Sequence, residues 1–162
     1  MWSAETIVRR SGVNSEVEQM FLGQYRHSID SKGRLTIPSR FRELLLAQGA
    51  FVSQGFERNL MVRTVPAFEE LSRKVEALSQ TVPNSRLLKR LIFSTAERVE
   101  VDKAGRILIP EFLRQAAGLQ NEIVINGAGD YFEIWAPEIW AKQEAELQDT
   151  EANAQRFALL DL

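Results

Sequence analysis

Cysteine is absent from the 162 residues, and His27 is the only histidine. The chain therefore has no disulfide, no thiolate metal site and no cysteine nucleophile, which fits a reducing compartment. A histidine-rich metal site or a Ser-His-Asp triad would depend on His27 alone. His27 lies in a predicted strand, where a solvent-facing or turn-packing histidine is commoner than a catalytic one. We expect no metal, no cofactor, no small-molecule substrate and no enzymatic activity.

Long apolar runs are missing as well. No stretch approaches the roughly 20 residues that span a bilayer, and the first 20 residues show no secretory signal. The sequence contains no GxGxxG, P-loop, GxSxG or HExxH motif. Carboxylate- or lysine-based catalysis stays open on composition alone, although no motif supports it. We expect a soluble, cytoplasmic protein without a membrane partner.

Charge is unevenly distributed although the net charge is only −2. Residues 26–42 hold five basic residues and one acidic residue, a net charge of +4. Residues 138–162 hold two basic and six acidic residues, a net charge of −4. Clustered positive charge favours nucleic-acid binding. On charge alone, a solvated face with no partner fits equally well.

An internal repeat organises the chain. Residues 29–42, "IDSKGRLTIPSRFR", align without gaps on residues 101–114, "VDKAGRILIPEFLR", at a separation of 72 residues. At the same separation residues 51–62 fall on residues 123–134, with Gly55 on Gly127. A copy of about 45 residues buries too little surface to be stable alone, which predicts a pseudo-dimer within one chain. The identical pairs in the first alignment are Asp30 and Asp102, Gly33 and Gly105, Arg34 and Arg106, Ile37 and Ile109, Pro38 and Pro110, and Arg42 and Arg114.

Each copy predicts the same order of elements. A strand runs into an Asp-x-x-Gly-Arg turn and a second strand follows, which indicates a hairpin in which Gly33 or Gly105 supplies the positive φ. A proline then opens a short helix that stops at Gly49 or Gly118, and two apolar strands close the copy. Amphipathic spacing predicts helices over 66–80 and 84–94, and residues 137–147 repeat the role of the first.

These patterns divide the chain into five parts. The first repeat covers 24–66, a helical connector 67–94 and the second repeat 96–139. Residues 1–19 form an N-terminal extension, and 140–162 a C-terminal helix with an acidic tail. We expect the extension and the tail, from about residue 148, to be partly disordered.

From "MFLGQYRHSIDSKGRLTIPSRFRE" to "VDKAGRILIPEFLRQAAGL" the chain resembles the bacterial MraZ family, relatives of the AbrB and SpoVT regulators. The resemblance covers about residues 20–140 and rests on two DxxxR motifs, each followed by a strand and "IP". It implies an α+β fold, mainly β: a duplicated swapped-hairpin, double-split β-barrel pseudo-dimer with connecting and C-terminal helices. It also implies a nucleoid-associated transcriptional regulator of its own promoter and of the division and cell wall gene cluster. Such a regulator binds short direct repeats of double-stranded DNA as a ring-like homo-oligomer.

The DNA-binding residues implied are those of the two loops: Asp30, Lys32, Arg34, Asp102, Lys103 and Arg106. Arginine suits base reading because its planar fork can meet guanine O6 and N7. An aspartate four residues earlier can cap the turn and orient that fork, and Lys32 at the tip can contact phosphate. The second loop departs from the first, because Ala104 stands where the first has Lys32.

Other interpretations stay open at this stage. Asp30 and Arg34 could form a surface salt bridge that only stabilises the turn, worth about 0 to 1 kcal/mol. Arg42 and Arg114 lie on helices, where packing or pairing between subunits fits as well as DNA contact. The alternative functions are an oligomeric scaffold or interaction protein, and an antitoxin-like AbrB-type regulator with a protein partner.

Overall fold

The computed structural model describes residues 15–162. The predicted extension therefore lies outside the described residues up to residue 14, and its last part holds a short helix α1, Ser15–Glu18. The strands are β1 Gln24–Ser28, β2 Arg34–Thr36, β3 Ala50–Gln54, β4 Leu60–Thr64, β5 Glu97–Val99, β6 Arg106–Leu108, β7 Glu122–Gly127 and β8 Tyr131–Trp135. The remaining helices are α2 Ser39–Gln48, α3 Val65–Glu76, α4 Pro83–Thr95, α5 Glu111–Ala117, α6 Pro137–Gln148 and α7 Thr150–Ala158.

The strands form two antiparallel sheets whose order is symmetric between the repeats. The larger sheet runs β1-β7-β8-β4-β3-β5, and the smaller pairs β2 with β6. Strands β1, β2, β3 and β4 of the first repeat correspond to β5, β6, β7 and β8 of the second. The first strand of each repeat therefore pairs with the third strand of the other: β1 pairs with β7, and β5 pairs with β3. The duplicated α+β pseudo-dimer is confirmed.

This exchange corrects the predicted local hairpins. In the first repeat the hairpin reduces to one bridge between Ile29 and Leu35 beside the loop, since β2 finds its ladder partner in β6. In the small sheet Leu35 lies opposite Ile107, and both are buried, at 0% and 1% exposure. Two short strands cannot bury much surface alone, so pairing across the repeats completes the core that neither copy has by itself.

The gapless alignment of the repeats fails at the third strand. It pairs Phe51 with Ile123, but Ile123 and Ile125 pack in the main core, as do Ala50 and Val52. Phe51 instead stacks on Phe68 of helix α3. Because neighbouring strand residues face opposite sides, the structural match of β3 and β7 is shifted by one residue, to a separation of 73.

An aromatic cluster ties the segment before β1 to both repeats. Phe21 lies with its ring centroid 5.0 Å from that of Phe41 on α2 and 5.1 Å from that of Phe132 on β8. All three are at most 1% exposed. Edge-to-face pairs add about 0.5 to 1.5 kcal/mol each beyond burial of area. The segment at Phe21 is thereby fixed beside β8, where its N–H donates to the carbonyl of Gly129 at 2.7 Å.

The helices follow the repeat as well. Helix α3 begins at Val65 and α6 at Pro137, again 72 residues apart, so each repeat carries its own helix after the fourth strand. Helix α4 begins at Pro83 behind Val82, which makes no side-chain cap. The expectation of a partly disordered tail from about residue 148 is wrong in part, because Thr150–Ala158 is helical and the Asp149 carboxylate caps it by accepting from the Ala152 N–H at 3.1 Å.

Candidate nucleic-acid interface

Each DxxxR loop is built around its aspartate. Asp30 Oδ1 accepts from the backbone N–H groups of Lys32 and Arg34 at 3.0 and 2.9 Å. Asp30 Oδ2 accepts from Arg34 Nε at 2.8 Å. One carboxylate therefore closes the turn and holds the guanidinium in a single direction.

The second loop repeats this geometry at the matching atoms. Asp102 Oδ1 accepts from the backbone N–H groups of Ala104 and Arg106, both at 2.9 Å. Asp102 Oδ2 accepts from Arg106 Nε at 3.0 Å. Since the backbone donors are the same two positions in both loops, the replacement of Lys32 by Ala104 leaves the turn itself unchanged.

These bonds lower the pKa of both aspartates. For Asp30 the main cause is the backbone N–H of Arg34, which stabilises the ionised carboxylate against a smaller desolvation effect that raises the pKa. For Asp102 the main cause is the backbone N–H of Arg106. Both carboxylates are therefore charged at neutral pH, and the turn and the arginine orientation are retained there.

The glycines give the turns their shape. Gly33 has φ +87° and Gly105 has φ +78°, in the left-handed region that favours glycine. The Gly33 N–H donates to the Asp30 carbonyl at 3.0 Å, and the Gly105 N–H does the same to the Asp102 carbonyl at 3.0 Å. A residue with a β-carbon would be strained at either position.

The two loops lie side by side because β2 pairs with β6. Arg34 is opposite Leu108, and Thr36 is opposite Arg106. Leu35 and Ile107 point inward, so Arg34, Thr36, Arg106 and Leu108 share the outer face of this two-stranded ribbon. Arg34 and Arg106 therefore occupy diagonal positions of the ribbon, and diagonal neighbours are close enough for long side chains to meet.

The two arginines differ in their surroundings. Arg34 is 35% exposed, and beyond its Nε bond its side chain makes no hydrogen bond within residues 15–162. Arg106 is 30% exposed, and its Nη1 also lies 3.7 Å from Asp30 Oδ2. Arg106 therefore lies within 4 Å of two carboxylates, those of Asp102 and Asp30, whereas among the described residues Arg34 contacts only that of Asp30. This leaves both η-nitrogens of Arg34 available to a ligand.

Two exposed lysines add positive charge to the loops. Lys32 and Lys103 are exposed at neighbouring but different loop positions. Neither forms an ion pair within 4 Å in the part of the chain that the structure describes. The same part offers no cluster of three metal-ligating side chains and no helix long and apolar enough to cross a bilayer.

The structure defines the contacts of Arg42 and Arg114, for which the sequence pattern left packing, subunit pairing and DNA contact open. Arg42 Nε donates to the carbonyl of Ile37 at 2.7 Å, and Arg114 Nε donates to that of Ile109 at 3.0 Å. Both lie against the loop of the opposite repeat. Their identical spacing in the two copies is the only signal in the sequence, and it does not say which loop each arginine meets.

Comparison with known proteins agrees with the duplication. The model of one family, described as "MraZ protein, putative antitoxin-like", matches residues 20–91 and again residues 92–161. Each match holds one repeat, and the boundary between the two matches lies within helix α4. The chain belongs to the MraZ family.

Relatives of this chain carry the name "Transcriptional regulator MraZ". The protein of Thermomicrobium roseum is 46% identical over 87% of this chain and 99% of its own length. The protein of Roseiflexus castenholzii is 45% identical over 86% of this chain and 94% of its own length. The protein of Desulfitobacterium hafniense is 39% identical over 83% of this chain and 94% of its own length. A solution structure of PHS018 from Pyrococcus horikoshii covers 70% of this chain and 87% of its own at 17% identity, with a TM-score of 0.30. At that score the likeness supports no conclusion about this chain.

Proposed function

We propose that this MraZ family member is a sequence-specific DNA-binding transcriptional regulator in which Arg34 and Arg106 read bases. The name of its relatives supports regulation of transcription. The observation that carries the proposal is the pair of aspartate-anchored arginines on one exposed ribbon face. Preorganised guanidiniums lose little entropy on binding, which favours selective contact over a loose charge attraction.

The ribbon suits the major groove of DNA. That groove is about 12 Å wide and admits a two-stranded β-ribbon. Arg34 Nε and Arg106 Nη1 lie 2.8 and 3.7 Å from the same oxygen, Asp30 Oδ2, so the two guanidiniums are close neighbours on one ribbon face. Each can meet guanine O6 and N7 with a bidentate pair worth about 1 to 3 kcal/mol of discrimination. Asp30 and Asp102 act by orienting the arginines.

The two loops contribute unequally. Lys32 lies at the tip of the first loop, and Arg40 follows it on α2, whereas the corresponding residues of the second repeat are Ala104 and Phe112. Lys103 supplies one cation to the second loop from a different position. The first loop therefore makes more phosphate contacts, while both arginines read bases.

Assembly compensates for the modest charge of one chain. Helix α4 carries Arg86, Lys89 and Arg90 and exposes Leu87 by 64% and Phe93 by 38%. Residues 138–162 carry a net charge of −4 and expose Leu147 by 59% and Phe157 by 49%. Opposite charges beside apolar surface favour a head-to-tail contact between copies, which can close into a ring. Many loops on one DNA then add affinity through effective concentration.

The targets we propose are short direct repeats upstream of its own gene and of the division and cell wall gene cluster, which puts the protein at the nucleoid. Successive sites should repeat about every 10 bp, because only that spacing presents them to one face of the assembly. Footprinting on DNA upstream of its own gene tests this, with Arg34→Ala and Arg106→Ala beside the wild type. Arg73→Ala, an exposed arginine on α3, is the control.

The expected footprint covers regularly spaced sites and is lost or weakened in both loop variants but kept in the control. Equal footprints for wild type and both loop variants would refute the reading role. Intact oligomers without any salt-dependent DNA affinity would instead support a scaffold function.

A further inference from the structure

Two arginines outside the loops occupy the same place in each repeat. Arg42 on α2 and Arg114 on α5 each lie four residues after the proline that opens the helix. Both are half-buried. Each uses its Nε–H to bond the carbonyl of the residue before that proline, Ile37 or Ile109, at 2.7 and 3.0 Å. The guanidinium is therefore fixed against its own repeat's strand end.

Each guanidinium lies close to the loop glycine of the other repeat. A Cβ placed on Gly105 would lie 2.5 Å from Cζ and Nε of Arg42. A Cβ placed on Gly33 would lie 2.8 Å from Nε and 2.9 Å from Cζ of Arg114. Backbone bonds complete the link, because the Ile37 N–H donates to the Gly105 carbonyl at 3.0 Å and the Ile109 N–H donates to the Gly33 carbonyl at 2.8 Å.

We propose that Arg42 and Arg114 are positioning residues that act crosswise. Arg42 supports the second loop and so sets the orientation of Arg106, and Arg114 supports the first loop and so sets that of Arg34. The consequence for DNA binding rests on the proposed function, whereas the support of each loop is a property of the free protein. The pairing of β2 with β6 accounts for this arrangement, because it brings the loop of each repeat against the helix of the other.

Lysine is the substitution that separates this role from a simple phosphate contact. It keeps the positive charge and most of the side-chain length but has no planar fork and no Nε–H directed sideways. A positioning role is therefore lost in Arg42→Lys, while a phosphate contact largely survives. Arg42→Gln serves as a second variant that keeps a polar planar group of smaller size.

The first experiment uses the full chain without DNA and records backbone amide chemical shifts by NMR. Arg42→Lys is expected to shift the amides of Gly105 and Arg106 and to leave those of Gly33 and Arg34 nearly unchanged. Arg114→Lys is expected to give the reverse pattern. Arg40→Lys, an exposed arginine on the same helix α2, is the control and should shift neither loop. Shifts confined to the loop of the same repeat, or absent from both loops, would overturn the proposal.

The second experiment is a double-mutant cycle on DNA affinity. Arg42→Lys and Arg106→Ala should be non-additive, because the first already disturbs what the second removes, while Arg42→Lys and Arg34→Ala should be additive. A variant Arg42→Gln that weakens specific and non-specific DNA equally and lowers the salt slope by about 1 would identify a phosphate contact and overturn the proposal. The crosswise NMR pattern combined with wild-type DNA binding by Arg34→Ala and Arg106→Ala would sustain the positioning role and refute the base-reading function.

Discussion

Replacing Gly105 by alanine tests the contact between the repeats through stability. Gly105 has φ +78°, where an alanine costs about 1 to 2 kcal/mol. The new Cβ would also meet the Arg42 guanidinium at 2.5 Å, and such overpacking costs about 1 to 3 kcal/mol. We therefore expect Gly105→Ala to lower the free energy of unfolding by about 2 to 5 kcal/mol.

Gly129 provides the matched control, since it has φ +90° and no atom within 4 Å of an added Cβ. Gly129→Ala should cost the conformational part alone, about 1 to 2 kcal/mol. Urea unfolding followed by the fluorescence of the buried Trp135 and Trp140 measures both variants at one protein concentration. A Gly105→Ala variant no less stable than Gly129→Ala would refute the reasoning.

A second substitution identifies the source of the clash. Adding Arg42→Ala to Gly105→Ala removes the crowding, so the two changes together should cost about 0.5 to 3 kcal/mol less than their sum. The losses of unfolding free energy caused by Arg114→Ala and Gly105→Ala should simply add, because Arg114 lies against Gly33 of the first loop and not against Gly105. Additivity in both pairs would mean that Arg42 does not limit the space at Gly105.

Three further predictions concern other parts of the molecule. Glu133→Ala should lower the free energy of unfolding by about 2 to 4 kcal/mol, because it leaves the amides of Asn59 and Asn126 and the indole of Trp135 without their hydrogen-bond acceptor. Urea titration measures this loss, and a loss under about 1 kcal/mol would contradict the prediction. Burial, and to a lesser extent the charge of Arg42, lowers the pKa of His27 below 6.5, so the unfolded chain binds the proton more readily than the folded chain. The free energy of unfolding should therefore fall as the pH drops from about 7 towards the folded pKa. His27→Gln should remove this pH dependence in melting experiments, and an unchanged pH dependence would assign it to another group. Ala104→Lys gives the second loop the cation of the first and should steepen the salt dependence of DNA binding by about 1 on the logarithmic scale, whereas an unchanged slope in salt titrations would place that loop away from phosphate.

The loops and the repeat could be predicted from the sequence because they depend on local residues. An Asp-x-x-Gly-Arg segment carries its own turn chemistry, and its second copy marks it as a unit. The helix ends at Gly49 and Gly118 follow from the same local rule and are confirmed. The bonds between Asp30 and Arg34 need only a tight turn four residues long.

The contacts between the repeats could not be predicted from residues alone. Whether β2 pairs with β1 or with β6 depends on which pairing buries more apolar surface, and that surface comes from distant segments. The one-residue shift between β3 and β7 is hidden in a gapless alignment, because each strand holds apolar residues on both faces: Phe51 follows Ala50 in β3, and Val124 follows Ile123 in β7. The spacing of Arg42 and Arg114 along the chain likewise does not indicate which loop each arginine supports, because that depends on contacts between the repeats.

The most direct test of the central claim is the ratio of affinities for specific and unrelated DNA, measured at one salt concentration for wild type, Arg34→Ala and Lys32→Ala. Base reading by Arg34 predicts that Arg34→Ala lowers the ratio about 5- to 150-fold, which corresponds to about 1 to 3 kcal/mol. Lys32→Ala should weaken both DNAs alike and leave the ratio unchanged. An unchanged ratio in a folded Arg34→Ala protein would contradict the account.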